Sequence, residues 1–109
     1  RQRMMQAVPT ADVVVTNPTH FAIALRYNQE ETEAPVVVAK GQDFIAQRIR
    51  EVAEENDIPI VENRPLAQAL FRTSEIDQEI PTEHYKAVAE VISYVWRLRG
   101  RNNRPRAAA

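Results

Sequence analysis

The chain has 109 residues, no cysteine, two histidines and a net charge of −1, which describes one domain large enough to bury a single core without covalent staples. Disulfides and thiolate metal sites are excluded, a usage that suits a reducing compartment. No apolar run approaches the roughly 20 residues of a membrane helix, the longest being Ala34–Ala39 with Pro35 inside it, so the piece is expected to be soluble. It opens on Arg1 rather than Met, as a fragment or a processed product would, and carries no signal-peptide pattern.

Arg1–Ala7 has helical composition and is closed by Val8-Pro9, because a residue before proline is pushed out of the α region. Asp12–Thr16 predicts a first strand. Beyond a turn, His20–Tyr27 alternates Phe21, Ile23, Leu25 and Tyr27 with Ala22, Ala24 and Arg26. This predicts a strand with one large-residue face and one small-residue face that lets a helix approach closely. Asn28–Ala34 reads as a polar, acidic loop, and Val36–Ala39 as a third strand broken by Gly41. From Asp43 the period changes: Ile45, Ile49, Val52 and Ala53 fall on one helical stripe, Asn56-Asp57 ends the helix, and Ile58–Val61 starts another short strand. This order predicts a βαβ unit with the strands at Val36 and Ile60 parallel and a right-handed crossover.

Pro65 stands where a first helical residue loses nothing by lacking an N–H, and the helix it opens runs to about Thr73 on a stripe of Leu66, Ala69 and Leu70. After the Ser74–Pro81 loop, Thr82 is the predicted N-cap and Glu83 favours the helix dipole. The last helix turns Tyr85, Val88, Val91, Ile92, Val95 and Trp96 inward and stops at Gly100. The whole is an α/β (α+β) domain over 10–99: a small mixed sheet of about four strands flanked by about three to four helices. Residues 100–109, with Arg101, Arg104 and Arg106, form a basic tail expected to be disordered.

The turn Asn17-Pro18-Thr19-His20 concentrates the chemistry. Asparagine ordinarily ages by attack of the next backbone nitrogen on its side chain, but here that nitrogen is in a proline ring and has no hydrogen. The remaining route is the reverse attack. The Asn17 carboxamide nitrogen adds to the Asn17 main-chain carbonyl, closes a succinimide and expels the Pro18 nitrogen, cutting the chain between Asn17 and Pro18. A carboxamide is a poor nucleophile, so folding must supply the acceleration. Fixed proximity is worth roughly 7–11 kcal/mol in favourable systems, and a strained turn on the order of 1–3 kcal/mol more. His20 is the natural proton shuttle, and Thr19 is a candidate to hold the turn or to point its N–H at the developing oxyanion. Against this stands the ordinary use of Asn-Pro as a turn dipeptide.

Asn17-Pro18-Thr19-His20, preceded by Asp12–Thr16 and followed by Phe21–Tyr27, resembles the self-cleavage motif of the FlhB/YscU family, export-switch proteins of bacterial type III secretion. The resemblance extends over Ala34–Gly41, Ile58–Asn63, Pro65–Phe71 and Ala87–Ile92, nearly the whole chain from about Met4 to Leu98. It implies a cytoplasmic domain at the inner face of the bacterial inner membrane, with residues 1–9 the end of a linker helix from a membrane-embedded part and frayed when detached from it. It implies one self-cleavage, with Asn17, Pro18, Thr19 and His20 as the catalytic set, no cofactor or metal, and two pieces that stay associated. Such a single-turnover event makes no enzyme in the usual sense. The implied partners are other export-apparatus proteins, a hook-length control protein and export substrates, whose class the cut switches from rod and hook to filament. The flagellar branch is closer than the virulence-injectisome branch over Pro65–Phe71, Glu75–Pro81 and Ala87–Trp96, although Gln68 stands where an arginine is expected. Asp77 stands where relatives often have glycine, which implies a left-handed backbone there.

Two other classes compete. One is a non-cleaving docking module in which the turn is only structural. The other is nucleic-acid binding through the arginine tail, disfavoured because such tails are usually solvated ends. His84 reads as a solvated residue beside Glu83, and neither P-loop, dinucleotide glycine pattern nor Gly-x-Ser-x-Gly elbow is present.

Overall fold

The structure, a computed structural model, describes residues 2–100. A short helix α1 (Gln2–Ala7) and a 3-10 turn (Val8–Thr10) lead into β1 (Val13–Asn17), followed by β2 (Phe21–Arg26), β3 (Val36–Gln42), α2 (Phe44–Glu55), β4 (Ile60–Glu62), α3 (Arg64–Thr73), a second 3-10 turn (Thr82–His84) and α4 (Tyr85–Leu98). The four strands form one mixed sheet in the order β3-β2-β1-β4. β1 pairs antiparallel with β2, β2 antiparallel with β3, and β1 parallel with β4. This is the α/β fold expected from the sequence.

The alternation of β2 decides which layer goes where. Ile23 and Leu25 face the core built with Leu66, Ala67 and Leu70 of α3 and Val88, Val91, Ile92 and Val95 of α4. Ala22 and Ala24 face the other core, with Ala46, Ile49 and Ala53 of α2 and Val8 and Ala11 before β1. Small side chains on that face let α2 lie close to the sheet, and the nearest approach is at Gly41. A Cβ there would lie 2.2 Å from Ile45 Cγ2 and 2.7 Å from its Cβ. Gly41 therefore does not break β3, which continues to Gln42; it is the point where the strand admits the helix that follows.

The βαβ expectation holds in strand direction, and the two strands are not neighbours in the sheet. β3 and β4 run the same way, yet β2 and β1 lie between them, so α2 carries the chain from one edge of the sheet to the other. The β3 edge is partly covered by the loop before α4: Val37 N–H donates to Gln78 C=O (3.0 Å), Asp77 N–H to Val37 C=O (2.7 Å) and Ile80 N–H to Pro35 C=O (2.9 Å). Covering an edge in this way removes a pairing template. Asp77 does have a positive φ, 70°, as its place in that loop requires.

Helix ends differ from the sequence expectation in instructive ways. Asn63, and not Arg64-Pro65 alone, starts α3, its side-chain oxygen accepting from Leu66 N–H at 3.2 Å. The C-terminal end of α3 is closed by Lys40 from β3, whose Nζ donates to the carbonyls of Phe71 (2.9 Å) and Ser74 (2.6 Å), a cation where the helix dipole favours one. α2 ends with Asp57 at φ 57° and Ile58 N–H returning to Ala53 C=O, a Schellman closure with aspartate in the usual glycine place. Thr82 does not cap α4; it begins the 3-10 turn, without a side-chain cap bond. Ala67 replaces Ala69 on the buried stripe of α3, and Tyr85 is 40 % exposed instead of inward. His84 is not a solvated residue either, since its side chain is largely covered and Nε2 lies 3.0 Å from Thr73 Oγ1. α1 is helical over Gln2–Ala7, and Met4, Met5 and Ala7 pack on the α2-side core. The basic tail beyond Gly100 lies outside the described residues.

The close approach at Gly41 gives a direct test. Gly41→Ala forces overpacking against Ile45 and is expected to cost about 1–3 kcal/mol, read as a lower urea midpoint at unchanged slope.

Candidate functional site

Asn17 is the last residue of β1 and is 6 % exposed; Thr16 before it is 3 % exposed. The strand ends here because Pro18 has no N–H to continue a ladder. Asn17 still pairs with Phe21, the first residue of β2, so Pro18, Thr19 and His20 form a tight connection between two fixed strands. Across it, His20 N–H donates to Asn17 C=O at 2.7 Å. That oxygen belongs to the carbonyl an asparagine side chain would attack, and a donor already aimed at it would stabilise negative charge as it forms. The sequence reading looked to Thr19 for this donor; the fold uses the residue after it, and Thr19 itself is exposed.

Three further contacts hold the turn from outside. Asn63 N–H donates to Thr16 C=O at 2.9 Å, fixing the strand just upstream. Asp43 N–H donates to His20 C=O at 2.9 Å, fixing the residue just downstream. Arg50, in the middle of α2, donates from Nη1 to Pro18 C=O. The carbonyls of Thr16, Asn17, Pro18 and His20 are thus each engaged. The Asn17 carboxamide stands outside this set of bonds, so holding the turn does not consume the side-chain nitrogen.

His20 and Asp43 also meet through their side chains, Nδ1 to Oδ1 at 3.5 Å, with both groups about two-thirds exposed. The imidazole therefore reaches bulk water as well as the turn. Backbone strain is not where the sequence reading put it. None of Asn17–His20 has a positive φ, whereas Asp43 sits at φ 52°, ψ −114°, the glycine-favouring geometry of a type II′ first position. Residues in such regions cost on the order of 1–3 kcal/mol, and this one is the residue that grips His20.

Asn17, Pro18, Thr19 and His20 are thus brought together as one turn. Asp43, Arg50 and Asn63 were missed as its supports. An aspartate before a helix and an asparagine before Arg-Pro are visible as cap candidates, but Arg50 lies 32 positions from its partner and carries no local signal. Neither of two surface grooves touches the turn. One, of about 720 Å³, lies among Met4, Val38, Gly41, Phe71 and Ile76. The other, of about 210 Å³, lies among Tyr27, Pro35, Ile92 and Trp96.

A buried strand ending in Asn-Pro, with the asparagine carbonyl bonded across a four-residue turn and three further engaged carbonyls around it, marks the conspicuous site of a small α/β domain. Residues 1–95 match the family described as the FlhB HrpN YscU SpaS family, and the chain belongs to it. It is 54 % identical over 98 residues to the flagellar biosynthetic protein FlhB of Bacillus subtilis, covering 90 % of this chain and 27 % of that protein. It is 57 % identical over 95 residues to FlhB of Aquifex aeolicus, covering 87 % and 27 %. The chain therefore spans about a quarter of the length of these relatives. Its fold is that of the crystal structure of the cytoplasmic domain of FlhB from Shewanella putrefaciens, at TM-score 0.88 and 48 % identity over 93 % of this chain and 78 % of that one. A mutated EscU C-terminal domain follows at TM-score 0.82 and 34 % identity, covering 87 % and 95 %.

The hydrogen-bonded turn makes a prediction independent of any cutting. In an Asn17→Ala chain, hydrogen exchange resolved by residue is expected to show His20 and Asp43 amides exchanging far more slowly than that of Thr19. Equal, fast exchange at all three would mean that the turn is not held as described.

Proposed function

We propose that this domain is the cytoplasmic part of a flagellar protein-export apparatus component, and that it cuts itself once between Asn17 and Pro18 by asparagine cyclisation. The observation that carries the reading is the Asn17 carbonyl, held at the end of a buried strand and accepting the His20 N–H at 2.7 Å. Attack by the carboxamide nitrogen on the carbonyl carbon forms the ring bond as the bond to Pro18 breaks. The carboxamide gives up one proton and the proline nitrogen takes one, leaving a C-terminal succinimide and a secondary amine. His20, exposed and within the turn, relays that proton; its contact with water and with Asp43 supports the role. The reaction consumes its own substrate, so the domain is not a turnover enzyme.

The cut switches the class of exported substrate from rod and hook subunits to filament subunits. The names of the relatives support the flagellar setting, and the Shewanella domain supports a cytoplasmic position. Among the described residues no helix is long and apolar enough to cross a membrane. Attachment to the inner membrane is therefore assigned to a part of the protein outside this domain. Partners are other export-apparatus proteins, a hook-length control protein and the substrates themselves.

Denaturing mass spectrometry of the purified chain tests the chemistry. Two masses are expected, one ending at Asn17 as succinimide or its hydrolysis products and one beginning at Pro18, which co-elute as one species under native conditions. Asn17→Ala is expected to abolish the cut, Pro18→Ala to slow it by relaxing the turn and changing the leaving group, and His20→Ala to slow it without unfolding the domain. A single intact mass after days at mildly alkaline pH would leave the turn a structural element and the domain a docking module. A fully cut Asn17→Ala chain would exclude cyclisation.

A further inference from the structure

We propose that Arg50 is a positioning residue for the cut at Asn17–Pro18; the inference rests on the cleavage reading above and extends it to α2. Arg50 reaches the turn from α2, its Nη1 donating to the carbonyl of Pro18. That carbonyl is two bonds from the nitrogen that must leave. Proline's ring already fixes φ, so a bond to its carbonyl removes the remaining main-chain freedom, ψ, of the leaving residue. The His20 N–H fixes the carbonyl on the other side of the scissile bond. Both flanks of the bond that breaks are then held by separate donors, one from the turn itself and one from a helix in the core.

The anchor is rigid at its base. Ile49 and Ala53 on either side of Arg50 along the helix are fully buried, and α2 is seated on the sheet by the close contact of Ile45 with Gly41. Arg50 itself is half-buried, so its guanidinium is held in place rather than waving in solvent. Arg48, one turn-face away, instead pairs with Glu51 on the outer surface, which makes it a matched charge with no contact to the turn. Arg50 also bonds to the segment that would carry the new N-terminus, so the same contact holds Pro18 against α2 after the cut as before it.

The experiment follows cleavage of the freshly translated 109-residue chain by pulse-chase and intact mass, for the wild type, Arg50→Gln, Arg50→Lys, Arg48→Gln and Ile49→Val, with thermal midpoints of each. Misplacing a reacting group by about 1 Å can cost on the order of 100-fold in rate, so Arg50→Gln is expected to slow the cut by about 10- to 100-fold. Arg50→Lys, which keeps one charged donor, is expected to recover part of the rate, and Arg48→Gln all of it. Ile49→Val loosens the same helix in the core; it is expected to lower the thermal midpoint while leaving the cleavage rate near wild type. A wild-type rate in Arg50→Gln overturns the inference while leaving self-cleavage standing. So does a slowing that Ile49→Val reproduces at an equal loss of thermal midpoint, because Arg50 would then act through stability alone. A wild-type chain that never cuts overturns the cleavage reading and this inference with it.

Discussion

Every residue of β1 is buried, from Val13 to Asn17. A strand covered on both faces cannot alternate polar and apolar residues, and Val13-Val14-Val15 is accordingly a continuous β-branched run. Val13 and Val15 enter the core under α3 and α4, Val14 the core under α2. Two partner strands, one parallel and one antiparallel, take up its backbone groups. The rest of the domain is arranged so that this strand is enclosed, and the Asn17–His20 turn is simply the first place where the chain can come out. Asn17 is thereby fixed by the whole fold on its N-terminal side and by β2 on the other.

The turn is shaped further by the β3–α2 corner. β2 and β3 pair with Phe21 opposite Gln42, so the residue after Gln42 falls beside the residue before Phe21. Asp43 therefore meets His20, and α2 starts directly from that meeting point. Gly41 lets α2 approach, Asp43 takes a backbone conformation that costs energy, and Arg50 reaches back to Pro18. These three features lie on one continuous segment, 41–50. A strained residue and an anchoring arginine, both bearing on one tight turn, exceed what closing a hairpin requires; a two-strand connection needs neither.

Much of this was legible in local pattern because the pattern reflects burial directly. The large and small faces of β2, the stripe of α2 and the Asn-Pro turn follow from residue size, period and the chemistry of proline. What could not be read depends on distance in sequence. Gly41 looks like a strand breaker until α2 is seen against it; Arg50 looks like one more outer-face charge until Pro18 is seen beneath it. Thr82 and Tyr85 were misplaced because Pro81 is followed by a 3-10 turn before α4 begins, shifting the first helical residue by two, from Glu83 to Tyr85. The strand order was not legible because a βαβ pattern says which way strands run, and not how many strands the crossover passes.

The place of the turn also decides what a cut could and could not change. Scission between Asn17 and Pro18 divides the chain into 2–17 and 18–100 among the described residues, and the smaller piece brings Val8, Val13, Val14 and Val15, each fully buried. At about 1.5–3 kcal/mol for each buried side chain of this kind, with two ladders of main-chain bonds besides, the piece has strong reason to stay. One covalent bond is lost and almost no packing. The immediate freedom gained is confined to Pro18, Thr19 and His20, and even there Asp43 and Arg50 retain hold of two carbonyls. A cut at this point is therefore poorly suited to releasing a fragment and well suited to altering one corner of the surface, where β2 begins and α2 starts. Any partner that distinguishes the cut from the uncut domain must read that corner, or must work on the small piece through α1, which packs on the core between the sheet and α2.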